Sequence, residues 1–354
     1  MSRFFSGKYA ALTPYTPGEQ PKDRQFLKLN TNESPYPPSP RAQICAREAT
    51  ENLNLYSDPT CAKLNARMAE VLGVEPWEIL FTNGSDDVLN FAFMAFCDEK
   101  TGAAFPDITY GFYPVFARLN GVSYQEIPLA GDFSIRLEDY LGLKKTIFLA
   151  NPNAPTGKML TLPEIELILR SNPNNVVIID EAYVDFGAQS AVPLIHQYDN
   201  LLVTRTFSKS RSMAGARLGF GVGCKALIRD LNTLKFSTNP YNINAMTMAA
   251  GIGSLEDEGY FRANCAAIMT TRARTTAKLR NLGFEVVDSM ANFVLAKHPS
   301  IPGGRLYQEL KDRGVLVRHF DGPRLTDYNR ITIGSDEQMT EFIRILTGIL
   351  EETL

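Results

Sequence analysis

A regular alternation of short apolar runs with helical patterns between residues 77 and 222 constrains the fold most strongly. Seven of these runs are predicted strands: residues 79–82, 103–105, 123–127, 146–150, 176–180, 201–206 and 218–222. Helical patterns lie between them, for example at 86–97 and in a helix beginning at Pro163, where a missing N–H costs little. This alternation predicts an α/β fold in which helices flank a mostly parallel seven-stranded sheet.

The length of 354 residues exceeds what one hydrophobic core usually serves. We therefore expect a large domain at residues 41–250 and a smaller α/β domain at 251–354, which the first forty residues join as an arm. Seven prolines in that arm predict an extended chain. The further predicted elements are one or two long helices within 244–282, strands at 284–287, 292–296, 315–320 and 330–333, and a final helix at 337–351.

Composition and charge indicate small molecules as the partners of this chain. The net charge of −3 and the absence of Lys/Arg blocks argue against nucleic-acid and anionic-membrane partners, and no apolar segment approaches the roughly 18 residues of a membrane helix. Five scattered cysteines indicate free thiols, and three dispersed histidines predict no metal site. Because the N-terminus lacks a signal-peptide pattern, we expect a cytoplasmic location.

The segment 204–220 follows a predicted strand and combines hydroxyls with two cations. A lysine at a strand end, here Lys209, forms a Schiff base with an aldehyde when its surroundings lower its pKa. The hydroxyls of Thr206 and Ser208 and the guanidinium of Arg217 suit a phosphate. The alternative is that Lys209 and Arg217 are solvated surface charges.

Asp180 ends the continuous apolar run 176–180, where α/β sheets place their ligand crevices. A carboxylate there needs a cationic or hydrogen-bonding partner, and a protonated pyridine nitrogen is one. Tyr183, three residues later, is placed to bond the phenolic oxygen of such a ring. The alternative for Asp180 is a structural ion pair with an arginine.

Two further segments follow predicted strands. Gly84 and Ser85 open the helix at 86–97, and free N–H groups at a helix start bind phosphate, although simple helix capping explains the same pattern. Residues 106–113 offer aromatic rings, Tyr110 among them, that stack on a flat ligand or else belong to the core.

The joint order of these motifs resembles that of the fold-type I, aspartate-aminotransferase-like pyridoxal-phosphate enzymes, and within them the histidinol-phosphate aminotransferases. The resemblance covers residues 29–334. It implies that Lys209 holds pyridoxal 5'-phosphate as a Schiff base, that Asp180 pairs with the pyridine nitrogen, that Tyr183 reaches the phenolic oxygen and that Tyr110 stacks on the ring. The residues implied for the cofactor phosphate are Gly84, Ser85, Thr206, Ser208 and Arg217.

Four more roles come from the same resemblance. Arg330 corresponds to the arginine that binds the amino acid's α-carboxylate, and Arg318 and Tyr15 correspond to positions that bind a substrate phosphate. Tyr56 corresponds to a tyrosine that reaches the cofactor phosphate of the neighbouring subunit, which implies a homodimer.

The loop 151–157 departs from the family pattern. The family supplies an asparagine to the cofactor's phenolic oxygen from the position just before Pro-Thr-Gly, and this position is Ala154 here. Either the preceding Asn153 or a water molecule takes over that contact, or the site is tuned for something else.

The activity implied is transamination in histidine biosynthesis, from histidinol phosphate and 2-oxoglutarate to imidazole-acetol phosphate and glutamate. The alternatives are an aromatic amino-acid aminotransferase and a threonine-phosphate decarboxylase. A non-catalytic pyridoxal-phosphate-binding regulator usually carries a DNA-binding module, and no such module is visible in the sequence.

Overall fold

The computed structural model describes residues 2–10, 12–21 and 24–353 and is built around a seven-stranded sheet. The strands in chain order are β1 Leu27–Lys28, β2 Ile79–Thr82, β3 Ala103–Pro106, β4 Tyr124–Ile127, β5 Thr146–Ala150, β6 Val177–Asp180, β7 Leu201–Thr206, β8 Gly219–Gly223, β9 Glu285–Val287, β10 Phe293–Lys297, β11 Val315–Leu316, β12 Arg318–His319 and β13 Asn329–Thr332. The large sheet has the order β2-β8-β7-β6-β5-β3-β4, in which only β8 is antiparallel to its neighbours. The predicted mostly parallel sheet is confirmed.

Helices cover both faces of this sheet. They are α1 Pro40–Glu48, α2 Ala62–Leu72, α3 Ser85–Phe96, α4 Tyr113–Asn120, α5 Leu162–Ser171, α6 Lys225–Thr238, α7 Ala245–Glu256, α8 Glu258–Asn281, α9 Gly303–Asp312 and α10 Asp336–Thr353. Alternate residues of β5 belong to different hydrophobic cores, because Ile147 and Leu149 pack on one side of the sheet and Phe148 packs on the other. This double burial explains why the central strands are continuous apolar runs.

The start of α5 shows how local sequence sets an element. The Glu164 carboxylate accepts hydrogen bonds from the backbone N–H and the hydroxyl of Thr161, which caps the helix. Pro163 lies in the first turn, as predicted. Within the described ranges, none of the helices combines the length and the hydrophobicity needed to cross a membrane.

A smaller antiparallel sheet of order β12-β13-β10-β9 packs against α8 and α10 through buried residues such as Phe293, Leu279 and Phe342. The prediction of a single strand at 315–320 is wrong, because this segment forms two strands in different sheets. β11 pairs in parallel with β1, and β12 pairs with β13. The apolar pattern of the segment could not reveal that its two halves have different partners.

The N-terminal segment is attached to this smaller region. Residues 12–21 contain no helix or strand, which agrees with the predicted extended arm. After β1, the carbonyl oxygen of Leu29 accepts a hydrogen bond of 2.9 Å from the N–H of Thr332 in β13. The arm thereby brings residues 30–33 to the carboxyl edge of the large sheet.

Candidate active site

Two adjoining cavities lie beyond the carboxyl ends of the parallel strands, where ligand sites of open α/β sheets form. The smaller cavity, of about 380 Å³, is lined by Asp180, Ser85 and Arg217, and the larger, of about 670 Å³, by Arg318 and Arg330. The side chains that line both are Gln20, Thr31, Tyr110, Ala154, Tyr183 and Lys209. The predicted lysine therefore lies where the two cavities meet.

Lys209 follows β7 and is partly buried. Its Nζ donates a hydrogen bond of 3.2 Å to the carbonyl oxygen of Thr31 in the arm. Desolvation, followed by the positive charge of Arg330, lowers the pKa of Lys209 to about 8. This is the environment of a nucleophilic amine rather than that of a solvated surface charge.

Asp180 is buried at the end of β6 and accepts hydrogen bonds of 3.1 Å from the hydroxyls of Thr204 and Tyr113. Burial raises its pKa to about 6. Among the described residues, no cationic side chain lies within 4.0 Å of Asp180, and Arg205 of the adjacent strand β7 pairs with Glu181 and Asp185. Asp180 is thus a buried acid open to a cationic partner on a ligand.

The other end of the smaller cavity combines the start of α3 with Arg217. One Nη of Arg217 is 2.9 Å from a carboxylate oxygen of Asp86, and the other is 3.4 Å from the hydroxyl of Ser208. Ser208 in turn accepts a hydrogen bond of 2.9 Å from Thr206. Helix-start N–H groups, hydroxyls and a guanidinium together form a donor set for a phosphate.

This donor set depends on two glycines, Gly84 and Gly219, that lie close to Arg217 and Ser85. Gly84 has φ +84° and ψ 162°, and a Cβ there would lie 2.4 Å from Nη2 of Arg217. A Cβ on Gly219 would lie 2.1 Å from the backbone nitrogen of Ser85. A side chain at either glycine would therefore displace Arg217 or the start of α3, which are both parts of the donor set.

Two tyrosines border the space between these ends. Tyr110 donates a hydrogen bond of 2.7 Å to Asp86, and its ring faces both cavities. Tyr183 accepts a hydrogen bond of 2.9 Å from the side-chain amide of Asn32. Because burial raises the pKa of Tyr183, its hydroxyl keeps a proton that it can donate.

The structure does not bring Asn153 or Tyr56 to these cavities. The Asn153 amide donates to the Ile108 carbonyl and the Thr156 hydroxyl, and its carbonyl accepts from Thr109, so its polar atoms are engaged within the loops. Ala154, not Asn153, lines both cavities. Tyr56 is 85% exposed.

Three arginines line the larger cavity, namely Arg318, Arg324 and Arg330. One Nη of Arg330 donates a hydrogen bond of 2.9 Å to the Asn30 carbonyl, whereas its buried Nε has no partner among the described residues. Among the described residues, Arg318 has two hydrogen-bond contacts of 3.4 Å, both with arm carbonyls, and its guanidinium lies 5.6 Å from the Phe320 ring centroid. Tyr15 stacks on Phe112 at 4.2 Å. Guanidinium donors that remain available suit an anionic substrate.

The sequence did not reveal the residues that hold the others in place. Tyr113 and Thr204 hold Asp180, Asp86 holds Arg217 and Tyr110, and Asn32 holds Tyr183. Thr204 had a detectable signal, because it pairs in register with Asp180 on the neighbouring strand. The remaining contacts join segments whose proximity only the fold creates.

Comparisons with known proteins identify the family of this chain. The model of the family described as aminotransferase class I and II matches residues 24–346. Histidinol-phosphate aminotransferases of Brachyspira hyodysenteriae and Aromatoleum aromaticum are 46% and 47% identical, and each alignment covers 99% of this chain and 100% of the relative. The crystal structure of histidinol-phosphate aminotransferase from Sinorhizobium meliloti in complex with pyridoxal-5'-phosphate has the same fold, with a TM-score of 0.91 at 21% identity over 100% of this chain and 99% of that one. The resemblance inferred from the sequence is confirmed, and the chain belongs to the aminotransferase class I and II family.

Proposed function

We propose that this chain is a pyridoxal-phosphate-dependent aminotransferase that converts histidinol phosphate and 2-oxoglutarate to imidazole-acetol phosphate and glutamate. The observation that carries the proposal is the placement of Lys209 between a phosphate cradle with a buried acid and a cavity lined by three arginines. The names of relatives that align over their full lengths support the substrate.

The residues of the smaller cavity fit pyridoxal phosphate. Arg217, Ser208, Thr206 and the turn Gly84–Ser85 would bind its phosphate. Because Gly84 has no Cβ, Arg217 can lie against this turn. Asp180, whose pKa is raised because no cation compensates its burial, would hold a proton on the ring nitrogen.

When bound, pyridoxal phosphate supplies an electron sink for the electrons left after a proton is removed from the substrate Cα. Lys209 would hold the cofactor before the substrate arrives and, once freed, would remove and return that proton. With its pKa lowered to about 8, roughly a tenth of the amine is neutral at pH 7. Tyr110 would stack on the cofactor ring, and Tyr183 would donate to its phenolic oxygen.

The larger cavity would orient the substrate. Arg330 has a buried Nε without a partner among the described residues, which suits the α-carboxylate of glutamate. Arg318 and Tyr15 would bind the phosphate of histidinol phosphate. Because Tyr15, Tyr110 and Phe320 also line this cavity, an aromatic amino acid is the second candidate substrate.

A homodimer in the cytoplasm belongs to the same proposal. Tyr56 is exposed, stacks on Tyr241 with ring centroids 4.6 Å apart, and lies outside the cavities of its own chain. This placement supports a role for Tyr56 at the cofactor phosphate of a partner subunit. The five cysteines are free, which supports a reducing compartment.

A spectroscopic experiment tests the cofactor. The purified protein supplied with pyridoxal phosphate should be yellow, and borohydride should remove the visible band by reducing the covalent link. Lys209→Ala should lack the borohydride-sensitive band. A colourless wild-type protein would refute the proposal.

The substrate is tested by kcat/KM for histidinol phosphate, tyrosine, phenylalanine and threonine phosphate. We expect histidinol phosphate to be the preferred donor. A preference for phenylalanine or tyrosine would assign the aromatic alternative, and carbon dioxide released from threonine phosphate would assign the decarboxylase.

A further inference from the structure

Asn32 is a buried arm residue whose side chain connects β13 to Tyr183. It is 1% exposed and has φ 56°. Its Nδ2 donates a hydrogen bond of 2.9 Å to the Tyr183 hydroxyl, and its Oδ1 accepts one of 3.1 Å from the hydroxyl of Thr332. Its backbone N–H donates to the same threonine oxygen at 3.0 Å.

This arrangement fixes the orientation of the Asn32 amide. The Thr332 oxygen accepts the backbone N–H of Asn32, and the single hydroxyl proton of Thr332 is donated to Oδ1 of Asn32. Oδ1 therefore faces Thr332, and Nδ2 faces Tyr183. In a flipped amide the Thr332 proton would lose Oδ1 as its acceptor at a buried position.

The orientation of Asn32 decides what Tyr183 can do. Its hydroxyl oxygen accepts from Asn32, so its own proton is available for a group inside the cavities that Tyr183 lines. An accepted hydrogen bond polarises a hydroxyl and makes it a stronger donor. At the loop position where the family carries a second donor, this chain has the methyl group of Ala154.

We propose that Asn32 is a positioning residue that compensates for Ala154 by directing and polarising the Tyr183 O–H toward the phenolic oxygen of the cofactor. The inference rests on the proposed function. One indirect donor contact, from the arm through Tyr183, replaces the direct contact that an asparagine at position 154 would make.

The test is a pH titration of the visible absorbance of the holoenzyme with pyridoxal phosphate bound. A donor to the phenolic oxygen stabilises negative charge there and lowers the proton affinity of the chromophore. We expect Asn32→Ala to raise the titration midpoint by roughly 0.3 to 1 pH unit, and Tyr183→Phe to raise it further. In the Tyr183→Phe background, Asn32→Ala should add no further shift.

A second variant keeps the test valid if Asn32→Ala folds poorly. Asn32→Asp has nearly the same shape and can still accept from Thr332, but its carboxylate accepts the Tyr183 proton instead of donating to its oxygen. The midpoint should therefore rise more than in Asn32→Ala.

Asn30→Ala is the matched control. Asn30 lies in the same arm, is 2% exposed, and donates its amide to the carbonyl of Glu19 rather than to Tyr183. This variant should keep the wild-type midpoint, so general loosening of the arm is distinguished from a specific effect on Tyr183.

Different results would overturn the role of Asn32 and the proposed function. A midpoint unchanged in both Asn32 variants, or shifted by Asn32→Ala equally with and without the Tyr183 hydroxyl, would overturn the role of Asn32 alone. A wild-type protein without a visible band would overturn the proposed function and this inference with it.

Discussion

Replacing Gly84 with alanine is expected to remove most of the affinity for the cofactor phosphate while leaving the fold intact. The backbone at Gly84 has φ +84° and ψ 162°, a combination that only glycine adopts readily. The new Cβ would lie 2.4 Å from Nη2 of Arg217, so the guanidinium must move away from the start of α3.

Two costs follow, and they affect different measurements. Backbone strain at Gly84 lowers the free energy of unfolding by about 1–3 kcal/mol. Displacing Arg217 removes charge-assisted hydrogen bonds to the phosphate, each of which contributes about 1.5–3 kcal/mol. At about 1.4 kcal/mol for each factor of ten, the dissociation constant for pyridoxal phosphate should rise roughly 10-fold to 150-fold.

The assay titrates the apoprotein with pyridoxal phosphate and follows visible absorbance, with thermal unfolding measured in parallel. Gly121→Ala is the matched control, because Gly121 has φ +69° at the end of α4 and a Cβ there would meet nothing within 4 Å. Gly121→Ala should lose stability through strain of about 1–2 kcal/mol and keep its affinity for the cofactor.

A Gly84→Ala protein that binds pyridoxal phosphate within about twofold of wild type would refute the reasoning, since a displacement of Arg217 should cost at least about tenfold. Equal losses of affinity in Gly84→Ala and Gly121→Ala would also contradict it. In that case backbone strain alone, not the position of the arginine, would control binding.

Three further outcomes are expected. The rate at which the apoprotein captures pyridoxal phosphate should rise with pH through about 8 as Lys209 loses its proton. Arg330→Gln should move the midpoint of this rise to higher pH, because it removes a cation that lowers the lysine pKa. A midpoint unaffected by Arg330→Gln would contradict the electrostatic cause. Arg318→Ala should lower kcat/KM for histidinol phosphate by about 10-fold to 150-fold and for phenylalanine by less than about threefold. The control is Arg324→Ala, which should affect both substrates alike because the Arg324 guanidinium donates to the carbonyls of residues 129 and 130. Equal losses of kcat/KM for the two substrates in Arg318→Ala would exclude phosphate recognition by this residue. Mixed subunits of Tyr56→Phe and Lys209→Ala should be more active than either variant alone if Tyr56 acts across a dimer interface, and activity no higher than that of the separate variants would argue against this role.

The pattern of apolar runs predicted the large sheet because the hydrophobicity of each buried strand can be read from a few consecutive residues. Strands buried on both faces are continuously apolar, and each of the seven begins and ends within one residue of its predicted bounds. Residues at the ends of these strands share the carboxyl edge of the sheet, so the sequence alone predicts that Asp180, Lys209 and Gly84 lie close together.

Predictions were less complete where a segment's partner is distant in the chain. Residues 315–320 divide between two sheets, because β11 pairs with the arm and β12 with β13. Asn153, expected near the cofactor, instead completes hydrogen bonds with residues 108, 109 and 156. In both cases the outcome depends on which neighbours the fold supplies.

The fold class and the residue types expected around the cofactor follow from the sequence, because periodicity and strand-end position are properties of short segments. The orientation of those side chains depends on contacts between distant segments. Asn32 and Thr332 are 300 positions apart, yet together they set the direction of the Tyr183 hydroxyl. Each buried polar group needs a hydrogen-bonding partner, and which partner it meets depends on proximity in space rather than in sequence.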